Sequence, residues 1–195
     1  MQPRLLSFLL VLPSLVPAQP VNTGSYRGGA VTPPLPKPVF ILTDTSGAPF
    51  DFRQKTEGYI TLLFFGYTFC PDQCPMHMAN LSAALKKLPA ATADHVKLVF
   101  VTTDPARDSP AVLRRWLDLF DRRFIGLTGT ERAIEAVERA AGVPLASKAG
   151  VPGGSYFVSH ANFVIAYSRD NLAHLIYPGG VSKEDWLHDL PLLTR

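Results

Sequence analysis

The chain has 195 residues, 47% of them hydrophobic and 18% charged, with 19 basic residues against 16 acidic ones. This is ordinary globular composition, sufficient for one domain with a sizeable core. A formal charge of only +3 implies no polyanion partner, so nucleic acid is not expected.

Residues 1–18 read as a secretory signal peptide: Arg4 precedes an apolar stretch over 5–16, which ends in the small-residue pattern Val16-Pro-Ala18. A membrane-crossing helix needs about 20 apolar residues. This shorter run holds Pro13 and is followed by Pro17, so cleavage is expected ahead of retention as an anchor. No cysteine stands near the cleavage point, which argues against a lipoprotein. The expected location is therefore periplasmic or otherwise extracytoplasmic.

Residues 19–38, with Gly-Ser-Tyr-Arg-Gly-Gly and Pro-Pro-Leu-Pro-Lys-Pro, predict a flexible lead-in, and the domain is expected to run over 39–195. An N-terminal β-hairpin of edge character is predicted from Val39-Phe-Ile-Leu42, a turn over 45–49, and Phe50-Asp-Phe52. Residues 59–65 then form a continuous β-branched and aromatic run, typical of a strand buried on both faces. The helix after it has Pro71 near its first turn and apolar Met78, Leu81, Ala84, Leu85 and Leu88 at steps of three and four. A second buried strand covers 96–102, followed by a helix over 109–120 with a serine N-cap and proline at its first position. A short strand at 124–127, a helix over 131–141 capped by Thr130, strands within 157–167 and at 174–177, and a helix over 183–192 complete the pattern. Strands alternating with helices predict an α/β fold, a central mixed sheet flanked by helices on both faces. A thioredoxin-like arrangement fits that order.

The chemistry is expected at Cys70 and Cys74, the only cysteines of the chain, which lie where a buried strand gives way to a helix. A helix N-terminus aims N–H groups and a positive dipole end at them, which favours thiolate over thiol. A structural staple is a weak reading, because so short a loop removes little unfolded-state entropy. Helical spacing places i and i+4 on one face, about 6 Å apart along the axis, so the two sulfurs can converge if the first turn is irregular. A metal site would need a further ligand, and histidine beside thiolate suits copper or zinc.

Five histidines are available. His95 and His188 read as solvated and His174 as packed or at the surface. His160 follows the Gly-rich stretch 150–155 at the start of a strand, a placement suited to a ligand on a movable loop. From the residues alone, its role as ligand stays open. Met78 steps by four from Cys74, and thioether sulfur is a soft ligand, but the favoured reading is that Met78 continues the apolar helix face while Met76 and His77 face solvent. His77 is retained as an auxiliary copper contact.

Four segments resemble the Sco/SenC family of copper-handling proteins of cytochrome c oxidase assembly: Phe64-Phe-Gly-Tyr-Thr-Phe-Cys-Pro-Asp-Gln-Cys-Pro75, Val101-Thr-Thr-Asp-Pro-Ala-Arg-Asp-Ser-Pro110, Ile125-Gly-Leu-Thr-Gly129 and His160-Ala-Asn-Phe163. The resemblance implies a thioredoxin-like fold and a copper ion held by Cys70, Cys74 and His160. It places the family's acidic residue at Asp104, as a group behind the ligands, with loop shaping and helix capping by Asp104 and Asp108 as the alternative. Two positions depart from the family pattern, Phe69 where many members have histidine and Ser159 where aspartate is common. The expected function is carriage of Cu(I), with Cu(II) open, to the copper-bearing subunit of cytochrome c oxidase; another copper chaperone or a thiol reductant would be a further partner. The alternative is a thiol–disulfide reductase that keeps the oxidase copper-site cysteines reduced. A peroxidase reading fares worse, since threonine would be needed at Tyr67 and stands at Thr68 instead.

Overall fold

A computed structural model describes residues 25–150 and 154–195. The expected signal peptide at 1–18 and the start of the lead-in lie outside the described residues, and the glycine-rich stretch at 150–155 falls partly outside them.

The lead-in expectation fails over its second half. Residues Gly29–Pro36 form β1, which pairs antiparallel with β10 (Leu172–Pro178) at one edge of an eight-stranded sheet. An edge strand leaves one row of N–H groups unpaired, so Pro33, Pro34 and Pro36 are tolerated there, and the register shifts between Ala30 and Leu35 around them. The buried Asp189 carboxylate fastens the entry to this strand by accepting from the N–H groups of Arg27 and Gly28 and from the Tyr177 hydroxyl. The domain therefore starts well before residue 39.

The opposite edge carries the expected hairpin, β2 (Ile41–Asp44) and β3 (Pro49–Asp51), followed by the short helix α1 (Phe52–Lys55). The centre is parallel, β4 (Ile60–Gly66) beside β5 (Val96–Thr102) beside β6 (Ile125–Thr128), and β9 (Phe163–Tyr167) runs antiparallel to β4. The sheet order is β1-β10-β9-β4-β5-β6-β2-β3, and β7 (Ser147–Gly150) with β8 (Tyr156–Ser159) forms a separate two-stranded sheet.

Every residue of β4 is buried, and alternation splits it between two cores. Ile60, Leu62 and Phe64 pack with helices α2 (Gln73–Leu85), α4 (Pro110–Asp118) and α6 (Lys183–Leu193) through Met78, Leu81, Leu113, Leu117 and Trp186. Leu63 and Phe65 face the other side, where Phe52 of α1 and Ile134 and Val137 of α5 (Glu131–Ala140) cover the sheet. The short α3 (Ala90–Ala93) leads into β5. Side-chain caps set the helix starts: Ser109 accepts from Val112, Thr130 from Ala133, and Ser182 forms a capping box with Asp185. The expected mixed sheet covered on both faces is what forms. Among the described residues, no helix is long and apolar enough to cross a membrane.

Candidate metal centre

β4 ends at Gly66, opposite Thr102 of β5, and the chain turns before α2 begins at Gln73. The Cys70 N–H donates to the Tyr67 carbonyl at 3.2 Å, so Cys70 sits in the turn and only Cys74 is helical. The sulfurs meet because the turn folds back over the helix start, not because of helical i, i+4 spacing. Cys74 is buried and Cys70 half-buried, and both are free thiols. The backbone N–H of Cys74 points at the Cys70 sulfur, 3.4 Å away. The Cys74 thiol's hydrogen bond, helped by His160 and by that N–H, outweighs burial and pulls the Cys70 thiol down to about 3. The same hydrogen bond, with burial, pushes the Cys74 thiol up.

Gly66 makes room for this pair. A Cβ there would lie 2.9 Å from the Cys74 sulfur and 2.9 Å from the Phe64 ring. Overpacking of this kind costs about 1–3 kcal/mol. We expect Gly66→Ala to lower the unfolding free energy by that amount, read as a lower denaturant midpoint, and to shift the thiol reactivity of Cys74; an unchanged midpoint would show that the site can yield.

His160 lies between β8 and β9, its Nε2 3.6 Å from the Cys74 sulfur. Its Nδ1–H donates to the Ala161 carbonyl at 3.1 Å, which leaves Nε2 as the ring nitrogen that faces the sulfurs. That carbonyl orients the ring, next to Ser159. Phe64 and Tyr67 wall the imidazole edge-on, with centroids at 6.0 and 5.7 Å. The two sulfurs and one imidazole nitrogen lie within 4.8 Å of one another. Bonds of about 2.0–2.3 Å to sulfur and nitrogen span nearly that distance, so the donors fit a single soft or borderline ion with an open position.

The other candidates separate. His77 is buried, against the expectation that it faces solvent: its ring packs 4.9 Å from Phe64 on the sheet side of α2. It does not belong to the converging donor group, and burial lowers its pKa. Met78 continues the apolar helix face, fully buried in the core as expected. His95, His174 and His188 bond to Ala91, Asp170 and Asp189 respectively. Asp104 is fully buried and its carboxylate reaches Arg107 and the Tyr156 hydroxyl (2.8 Å), not His160. Asp108, also fully buried, accepts from the N–H and hydroxyl of Thr68 at 3.0 and 2.5 Å and from the Thr102 hydroxyl at 2.6 Å. The sequence gives Arg107 and Tyr156 no role and Thr68 only that of a misplaced peroxidase threonine; the Asp-Pro-Ala-Arg-Asp segment points to Arg107 alone.

The family model described as SCO1/SenC matches residues 32–194, beginning inside β1. This chain belongs to the SCO1/SenC family. It is similar to the mitochondrial protein SCO2 of Saccharomyces cerevisiae, 36% identical over 127 residues that cover 64% of this chain and 41% of that one. Matches span 41% to 64% of the length of its curated relatives. Among solved structures, apo Sco1 from Thermus thermophilus superposes with a TM-score of 0.76 at 32% identity, covering 86% of this chain and 96% of that one. Copper-bound ScoI of Bradyrhizobium japonicum gives 0.70 at 31%, covering 82% and 99%. The SCO1/SenC chain thus has the thioredoxin-like fold of those structures, with the Cys-Cys-His group at the strand-to-helix turn.

Proposed function

We propose that this SCO1/SenC protein, exported by a leader over 1–18, is an extracytoplasmic carrier that holds Cu(I) on Cys70, Cys74 and His160. Its acceptor is the copper-bearing subunit of cytochrome c oxidase. The observation that carries this reading is the convergence of three soft or borderline donors within 4.8 Å, with the imidazole already turned so that Nε2 faces the sulfurs. Copper bound in a relative 31% identical supports it. Transfer proceeds by ligand exchange: acceptor thiolates enter at the open position beside half-buried Cys70, the bonds from Cys70, Cys74 and His160 release, and copper stays Cu(I) throughout.

The lowered pKa of Cys70 also favours a second reading, in which its thiolate attacks a partner disulfide and Cys74 resolves the mixed disulfide. Two electrons and the Cys74 proton then pass to the partner, whose second thiol takes its proton from water, leaving a Cys70–Cys74 disulfide. His160 has no required part in that reaction. Both readings need the reduced pair.

Titration of the reduced protein with Cu(I) against a chromophoric chelator is expected to load one copper tightly, and the oxidised protein none. Failure of the reduced protein to compete would sink the carrier, and turnover on a partner disulfide would promote the reductase.

A further inference from the structure

The segment 102–108 supplies no ligand, yet it grips both ligand-bearing parts of the site. On one side it is fixed to the sheet: Thr102 ends β5 opposite Gly66, and the Thr103 N–H donates to the Gly66 carbonyl at 2.7 Å. From there the Asp108 carboxylate takes the N–H and hydroxyl of Thr68, two residues before Cys70, while the Thr102 hydroxyl holds the same carboxylate. The cysteine turn is thereby tied to β5 through a fully buried carboxyl group with three partners.

On the other side stands the hairpin that precedes His160. β7 and β8 form a sheet of their own, so no ladder of the main sheet places them. Buried Val158 contributes packing, Lys148 of β7 pairs with Glu131 of α5, and segment 102–108 supplies the polar holds on Tyr156. The Tyr156 hydroxyl donates to Asp104 at 2.8 Å, Arg107 Nη1 donates to the Tyr156 carbonyl at 3.2 Å, and Lys148 of β7 lies 3.9 Å from Asp104. Arg107, paired with Asp104, lies 3.8 Å from the Tyr156 ring centroid and 4.9 Å from that of Phe69, the residue before Cys70. One guanidinium touches an aromatic ring from each ligand-bearing segment.

We propose that segment 102–108 is a yoke that sets the distance between the cysteine turn and the histidine hairpin. Asp108 is the positioning residue for Cys70 and Cys74, and Asp104, through Arg107 and Tyr156, is the positioning residue for His160. The proposal rests on the three-donor reading of the site for its copper readout only.

The two arms are separable in the full-length protein. Tyr156→Phe and Asp104→Asn loosen the hairpin, and Thr68→Val and Asp108→Asn loosen the turn; Tyr156→Phe and Thr68→Val are mild enough to keep the fold. Loss of groups behind metal ligands typically lowers affinity by about 10–100-fold. The hairpin variants are expected to weaken Cu(I) affinity on that scale and to speed amide exchange over 156–161, while the Cys70–Cys74 midpoint potential shifts less than in the turn variants. The turn variants are expected to shift the midpoint potential as well and to leave exchange over 156–161 unchanged. The yoke is overturned if exchange over 156–161 is unaltered in the hairpin variants, or if all four variants change every readout alike. Should the wild type itself not bind Cu(I), the copper reading falls alone, because exchange and midpoint still decide the yoke.

Discussion

His160→Ala is expected to lower Cu(I) affinity by at least about 100-fold while the protein stays folded. The lower bound follows from the 10–100-fold effect of losing a group merely behind a ligand; removal of the ligand itself costs more. The fold should survive because His160 is half-buried in a loop, and its ring fills space only beside Phe64 and Tyr67. Competition with a Cu(I) chelator measures the loss, and iodoacetamide labelling of Cys70 reports whether the thiols remain reactive. A copper affinity unchanged in this variant rules out the three-donor site. Full reductase turnover in the same variant, with wild-type copper binding absent, transfers the function to the dithiol alone.

A second large effect is expected in thiol chemistry. With its pKa lowered to about 3, Cys70 is thiolate throughout the range from mildly acidic to neutral pH. Its alkylation rate should therefore be nearly flat between about pH 5 and 8, whereas an ordinary thiol of pKa about 8.5 gains about tenfold per unit there. A less basic thiolate is intrinsically less nucleophilic, with a Brønsted slope of about 0.4–0.5, so Cys70 leads a free cysteine at pH 5 and trails it near pH 8. Cys74, buried and raised, should label slowly across the whole range. Peptide mapping after timed iodoacetamide pulses checks both. A tenfold rise per unit at Cys70 would show that the Cys74 thiol and N–H do not hold its charge. At neutral pH copper loading should then release a proton from Cys74 and none from Cys70, which has none to lose.

The parts of the fold that could be read along the chain share a physical trait: each is decided within a few residues. β4 and β5 are unbroken apolar runs, and α4 and α5 start at side-chain caps that the chain writes locally as Ser109-Pro110 and Thr130. β1 escaped because prolines signal a break in the chain, and only its edge position beside β10, about 140 residues away, makes them acceptable. His77 escaped for a related reason. Its sequence neighbours suggest a polar helix face, but Phe64 and the sheet cover it.

Of the site itself, the sequence by itself determined the donor types and the strand-to-helix turn; the thiolate it led one to expect at both cysteines holds at Cys70 and fails at buried Cys74. The sequence also carried the four segments that mark the family. Tertiary structure decided which atoms meet and in what state: the back-folded turn that joins the two sulfurs, the Ala161 carbonyl that turns His160, the space left by Gly66, and the grip of Asp104, Arg107 and Asp108 on both sides. The contacts of Asp108 with Thr68, Asp104 with Tyr156 and Cys74 with His160 join residues 40, 52 and 86 positions apart. Local chemistry specifies what each side chain can do, whereas long-range pairing in a packed sheet sets the distances at which donors can share one ion.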